Sequence, residues 1–295
     1  MRHSLLSFLR LLRIPQYTKN GFVLLPLFFS GQMFHTPSLV RCGAAFVAFC
    51  FAASAIYILN DIHDVEEDRR HPVKKNRPIA SGEVSPGMAG IFSIFLALLA
   101  LTTGWLTSSL PCFFVVCGYL TLNLFYIYLG KQKSILDVAC IALGFELRAI
   151  GGALAISQSL SQWLVLMVFL LCMFLGLGKR WDDLCLTEQT ETIGKIRASI
   201  DGYSKKFVLS AMTFLSTINT VCYIMYTVAL DTQAHYHSEW LYLTSLWVVL
   251  GNLRYLQIAF VDQRSTSPTK IMLHDRGIQV CVLCWFVHLT ILLYS

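Results

Sequence analysis

The sequence predicts an all-α, polytopic membrane protein, and three observations carry that prediction. Hydrophobic residues make up 56% of the 295 and charged residues only 14%, against about 25% charged in soluble domains. Mean hydropathy is +0.61, more apolar sequence than one soluble core would house. Runs of about twenty apolar residues recur along the whole length, which is what helices need to cross ~30 Å of hydrocarbon.

The elements follow in chain order. Leu5, Leu6, Phe8, Leu9, Leu11 and Leu12 stand beside Arg2, Arg10 and Arg13, the pattern of an amphipathic helix lying in the membrane interface. The arginines and Pro15 interrupt the apolar stretch and no small-residue cleavage site follows, so this is not read as a signal peptide. We therefore expect an interfacial segment over 1–18 and one transmembrane domain over 19–295. Nine spans are expected, at 19–35, 39–60, 86–108, 110–130, 134–156, 161–179, 205–230, 238–262 and 277–294. Pro26 interrupts the first. The two longest loops, 61–85 and 180–204, each open with acidic residues beside basic ones, four spans apart, as an ancient duplication would leave them.

Charge asymmetry predicts the orientation. Basic residues collect before span one (Arg2, Arg10, Arg13), after span two (Arg69, Arg70, Lys74, Lys75, Arg77) and after span four (Lys131, Lys133). They recur after span six (Lys179, Arg180, Lys195, Arg197, Lys205, Lys206) and after span eight (Arg264, Lys270, Arg276). Loops 36–38, 157–160 and 231–237 hold none, with Arg41 alone near that side. By the positive-inside rule the N-terminus and the even-numbered loops are cytoplasmic and the C-terminus is outside. A bacterial-type inner (cell) membrane is the expected location, with the active site on the cytoplasmic side and no nucleic-acid partner. A homo-oligomer is left open. The Cys281-x-x-Cys284 pair lies in an apolar helix with no second pair and is read as packing. His235 and His237 are read as solvated.

Chemistry concentrates where span two ends. Asn60, Asp61, Asp64 and Asp68 fall within one quadrant of a continuous helix, while Glu66 points away and Glu67 flanks. Such a cluster at a membrane boundary needs a positive neutraliser, and hard carboxylate oxygens suit Mg²⁺, which arrives with a substrate's phosphates. A merely solvated acidic helix end would not require one-sided spacing. The loop that follows is stiffened by Pro72 and Pro78 and carries five cations, Arg69, Arg70, Lys74, Lys75 and Arg77. An anion bridged by metal to the acids and held by Arg77, Lys74 or Arg69 explains acids and cations together.

Two further concentrations follow. Gly178-Lys179-Arg180-Trp181-Asp182-Asp183 closes span six, and Tyr126…Lys131…Asp137 surrounds the turn between spans four and five. Glu146 and Arg148 lie within span five, two apart and so on different faces; charge there usually faces a polar cavity. Arg254 in span eight sits near the cytoplasmic end, where it can snorkel.

Asn60-Asp61-x-x-Asp64-x-x-x-Asp68 with Arg77-Pro78-Ile79-Ala80-Ser81-Gly82 after it resembles the first signature of the UbiA superfamily of intramembrane prenyltransferases. The resemblance covers essentially the whole chain. It implies a nine-helix bundle with acidic motifs after helices two and six and a Mg²⁺-diphosphate site. A further set resembles the branch that moves phosphoribose onto a polyprenyl phosphate. That set is Arg13-Ile14-Pro15-Gln16-Tyr17-Thr18-Lys19-Asn20, Pro26-Leu27-Phe28-Phe29-Ser30, Tyr126, Lys131, Leu136-Asp137-Val138, Phe145-x-Leu147-Arg148-Ala149 and Lys179-Arg180. Aromatic prenyltransferases of the superfamily carry Asp-x-x-x-Asp as the second motif; here two cations come first. More fixed cations and fewer metal ligands suit a donor with a phosphate besides its diphosphate, as in phosphoribosyl diphosphate.

The resemblance thus implies Mg²⁺ at Asp61, Asp64 and Asp68, with Asn60 positioning them, as the catalytic set. It implies a polyprenyl (decaprenyl-like) phosphate acceptor and substrate contacts from Lys19, Arg69, Lys74, Arg77, Tyr126, Lys131, Arg148, Lys179, Arg180, Asp182 and Asp183. The alternative is a conventional prenyltransferase moving a prenyl group from its diphosphate onto an aromatic or quinone precursor. A transporter is the rival from another class; its site would lie near the midplane in broken helices.

Overall fold

The computed structural model describes residues 5–108, 110–189, 198–262 and 268–294, and no strand occurs among them. Its helices are α1 (Leu5–Leu11), α2 (Leu25–Phe29), α3 (Thr36–His63), α4 (Val65–Arg70), α5 (Pro86–Ser108), α6 (Leu110–Tyr128) and α7 (Leu136–Ala155). They continue as α8 (Gln162–Gln189), α9 (Lys205–Val228), α10 (Leu230–Tyr236), α11 (Ser245–Phe260), α12 (Pro268–His274) and α13 (Arg276–Tyr294). Arg2, Lys195, Arg197 and Arg264, used above for orientation, lie outside the described residues.

Among the described residues, seven helices are long and apolar enough to cross a membrane: α3, α5, α6, α7, α8, α9 and α13. They match seven of the nine expected spans. The first and eighth differ in kind. Prolines 15 and 26 keep the first from forming one α-helix, and it runs as a 3-10 segment Ile14–Leu24 followed by the short α2. The eighth opens with a 3-10 turn, Trp240–Thr244, before the 16-residue α11.

The chain divides into two compact units, residues 1–129 with 144–160, and residues 130–143 with 161–295. In the first, α3 is the central element. Pro37 in its first turn suits a helix start, where no amide partner is lost. Its buried residues include a run of small ones, Cys42, Ala45, Ala48, Ala52, Ala53, Ser54 and Ala55, beside the larger Phe49, Ile56 and Ile58. Lipid supplies no hydrophobic drive between helices, so small residues work by letting backbones approach. The 3-10 segment uses that run, running antiparallel to α3 along its length. Cys42 Sγ donates to Val23 O, Asn20 Nδ2 reaches Cys50 Sγ at 3.2 Å, Tyr17 bonds Ser54 at 2.8 Å, and Arg13 reaches Asp61. Gly151 and Gly152 of α7 complete the packing. A Cβ at Gly152 would run into the Val23 carbonyl, and one at Gly151 would meet the Phe49 ring at 2.5 Å.

The N-terminal helix α1 has two faces. Leu11 is buried in a core cluster with Ile58, Ile79, Val84 and Leu96, while Leu6 and Leu9 are exposed. Arg10 pairs with Glu83 at 2.9 Å and Ser7 Oγ donates to the same carboxylate at 2.7 Å. These contacts hold the Glu83 carboxyl below its ordinary range, Ser7 first and Arg10 second.

In the second unit, Ser204 caps α9 by accepting from Phe207 N at 3.1 Å. Helix α8 continues past the expected end of its span and carries Lys179–Asp183 as helix. Arg254 does not snorkel freely: it pairs with Asp275 at 2.7 Å and Asp262 at 3.4 Å, tying α11 to the start of α13. None of the ten cysteines is in a disulfide.

Candidate active site

The acidic stretch after span two is not one continuous helix. Helix α3 ends at His63, and Asp64, with φ −96° and ψ 12°, joins it to α4. Glu66, Glu67 and Asp68 occupy the first turn of α4 and Arg69 and Arg70 its last, the arrangement its dipole favours. Across Asp64 the i→i−4 bonds continue, Asp64 N to Asn60 O and Asp68 N to Asp64 O, both at 2.9 Å, and the four side chains make two sets of contacts. Asn60 Nδ2 donates to Asp64 Oδ2 at 3.1 Å, and both residues are half-buried. Asp61 and Asp68 are 4% and 1% exposed and share one partner: Arg77 Nη1 donates to Asp61 Oδ1 at 3.0 Å and to Asp68 Oδ2 at 2.6 Å.

Arg77 is held in place by its own loop. Ser81 N donates to Arg77 O at 2.8 Å, Gly82 takes φ +81°, and Ile79 is buried beside Ile58. Lys74 Nζ lies 3.8 Å from Asp68 Oδ1. Arg69 is placed elsewhere: it pairs with Glu66 at 2.8 Å on the exposed side of α4. A short exposed helix offers that i,i+3 pair. The structure also adds a cation, for Arg13 donates Nη2 to Asp61 Oδ1. Its signal was in the sequence, an arginine two residues before the helix-stopping Pro15 in the stretch that carries the family resemblance.

Among the described residues no group of three or more His, Cys, Asp or Glu side chains is arranged to hold a metal ion. The donor chemistry nevertheless fits Mg²⁺. Asp68 Oδ1 is a buried hard oxygen that accepts no hydrogen bond, and Mg²⁺ is held through one or two carboxylates plus substrate phosphates rather than by an all-protein cage.

Arg148 is buried at 5% exposure in α7. Its Nε donates to Asn20 Oδ1 at 2.7 Å, Nη1 to Gly144 O at 2.7 Å and Nη2 to Tyr119 OH at 2.8 Å, and the guanidinium lies 4.7 Å from the Tyr119 ring centre. These partners are all neutral. Lys19 is exposed beside Asn20, and Tyr126 is half-buried in α6.

In the second unit, Arg180 is 1% exposed. Its Nε donates to Asp137 Oδ2 at 2.7 Å and its Nη1 to Asp183 Oδ2 at 3.1 Å. Asp137 also accepts from Ser199 Oγ at 3.0 Å and Tyr203 OH at 2.6 Å. Burial first, and then the Asp137 carboxylate, push the Tyr203 phenol well above its ordinary pKa, so it remains a donor. This network ties residues 199 and 203 to the start of α7. Within it Arg180 and Asp183 are both buried and paired with each other, as helix α8 turns them inward. Lys179 is exposed, whereas Asp182 and Lys131 are half-buried. Ser199 and Tyr203 were not anticipated; no charge pattern marks them.

Residues 23–286 match the model of the UbiA prenyltransferase family. A decaprenyl-phosphate phosphoribosyltransferase of Corynebacterium glutamicum is 32% identical over 97% of this chain and 86% of its own length. The protein of that name from Mycolicibacterium smegmatis is 34% identical over 83% and 78%. A UbiA homologue from Archaeoglobus fulgidus, solved with DMAPP and Mg²⁺ bound, superposes with a TM-score of 0.71 at 18% identity over 97% of this chain and 99% of that one.

Proposed function

We propose that this chain, which belongs to the UbiA prenyltransferase family, transfers 5-phosphoribose from phosphoribosyl diphosphate to a polyprenyl phosphate and releases diphosphate. It is a multi-pass membrane enzyme. The single observation that carries the substrate assignment is the likeness to decaprenyl-phosphate phosphoribosyltransferases at 32–34% identity over most of the chain. A site dense in fixed cations supports it.

The acidic site would hold Mg²⁺ through Asp61, Asp64 and Asp68, with Asn60 positioning Asp64. Bound there, the ion supplies charge stabilisation to the departing diphosphate. Arg77 and Lys74, now on Asp61 and Asp68, bind diphosphate oxygens. Breaking the anomeric C–O bond develops positive charge on the ribose, so stabilising the leaving group matters more than a strong nucleophile. The acceptor phosphate is already an anion and needs no general base. Lys131 and Lys179, with Tyr126 and Asp182, are assigned to the 5-phosphate or the acceptor phosphate, and Lys19 and Arg148 to substrate contacts from the first unit.

We infer nine crossings, counting the 3-10 segment with α2 and the 3-10 turn with α11. The contacts of Arg10 and Arg13 with residues 61–83 bring the N-terminus to the loop after α3, as two crossings between them require. That side is assigned to the cytoplasm by its basic residues. The test is diphosphate release by the purified protein. It should require phosphoribosyl diphosphate, Mg²⁺ and polyprenyl phosphate together, and release from a prenyl diphosphate with an aromatic acceptor would support the conventional prenyltransferase instead.

A further inference from the structure

Arg13 stands just ahead of the 3-10 segment with φ 52° and ψ 45°, a left-handed conformation that a residue with a side chain adopts only when its surroundings hold it there. Here they do. Leu11 is buried in the core, Arg10 and Ser7 bond Glu83, and the Arg13 guanidinium lies 5.2 Å from the Tyr57 ring centre. From that fixed point it donates to Asp61 Oδ1, the oxygen that also accepts from Arg77 at 3.0 Å. Two guanidiniums therefore share one buried carboxylate oxygen. Counting Lys74, three cations face the two buried carboxylates Asp61 and Asp68.

That surplus has a chemical consequence. A bare divalent cation at Asp61 would have to displace two guanidiniums from one oxygen, whereas a metal–diphosphate complex carries net negative charge and would accept the displaced cation. We propose that Arg13 is a further substrate-binding residue: it neutralises Asp61 at rest, yields that oxygen when metal is bound, and turns its guanidinium to the diphosphate. The proposal rests on the reading of Asp61, Asp64 and Asp68 as a metal site. It makes the segment ahead of the first span part of the active site, with α1 holding Arg13 within reach.

Two binding measurements on the full chain in detergent test it, with Mn²⁺ as the paramagnetic probe. A charge-assisted hydrogen bond is worth about tenfold or more in affinity. Arg13→Ala should therefore bind Mn²⁺ alone about tenfold more tightly than the parent, while its Mn²⁺-loaded form should bind inorganic diphosphate about tenfold more weakly. Arg13→Gly should give the same pair of shifts, and glycine takes φ 52° without strain, which separates loss of the cation from loss of the fold. A damaged site would weaken both ligands. Unchanged or weaker Mn²⁺ binding in the glycine variant overturns the competition at Asp61, and unchanged diphosphate binding overturns the substrate contact. Failure of the parent itself to bind Mn²⁺ overturns the metal site, and this role with it.

Discussion

Asp137→Asn should destabilise the second unit rather than impair substrate binding. The carboxylate accepts from Arg180, Ser199 and Tyr203, and from Val138 N at 2.8 Å. The amide keeps the shape but loses the charge and one acceptor, leaving Arg180, itself 1% exposed, with Asp183 as its remaining carboxylate in this network. Removing one member of a buried ion pair costs roughly 3–5 kcal/mol. At about 2–4 °C per kcal/mol for a chain somewhat shorter than this one, the fall in melting temperature is roughly 6–20 °C. Thermal unfolding in detergent, followed by tryptophan fluorescence, measures it, and Arg180→Ala should fall by a similar amount. Melting within about 2 °C of the parent, or an Arg180→Ala variant that melts normally but no longer binds donor, would refute the structural assignment and return Arg180 to the substrate.

Lys179→Ala should weaken phosphoribosyl diphosphate binding roughly ten- to a hundredfold and inorganic diphosphate much less; equal losses in a calorimetric comparison would place Lys179 at the diphosphate. Gly152→Ala should cost about 1–3 kcal/mol by overpacking, because its Cβ meets the Val23 carbonyl and not a movable side chain; an unchanged melting curve would contradict the close approach of α7 to the 3-10 segment. The depressed Glu83 carboxyl stabilises the α1 contact at neutral pH, and that contribution is lost as pH falls through its folded-state pKa. Hydrogen exchange in residues 5–11 should rise on acidification below about pH 4, and Glu83→Gln should show the raised rate already at pH 7.

Much of this was legible in the sequence because lipid imposes a simple rule: each crossing must satisfy its own backbone polar groups, so long apolar runs become helices. The seven long helices lie where hydropathy places them. The first and eighth segments departed from that rule where prolines and a 3-10 opening altered the local geometry. Arg77 could be assigned to the acidic motif, since Pro78 and the buried Ile79 fix its loop. The break at Asp64 could not, because a single bridge-region residue between two helices leaves no mark in composition. Arg180 illustrates the remaining gap. A cation beside two carboxylates at a span's end reads as a substrate group, and its pairing with Asp137, 43 residues away in sequence, leaves no mark in the local pattern.

Transfer of 5-phosphoribose onto a lipid phosphate at the acidic site can be followed directly. Purified protein should be incubated with ribose-labelled phosphoribosyl diphosphate, a polyprenyl phosphate and Mg²⁺, and the lipids then extracted with organic solvent. Label should enter the lipid phase, dependent on the metal and abolished by Asp64→Asn in a protein that remains folded. Absence of label from the lipid, with turnover of a prenyl diphosphate onto an aromatic acceptor by the same preparation, would contradict this transfer.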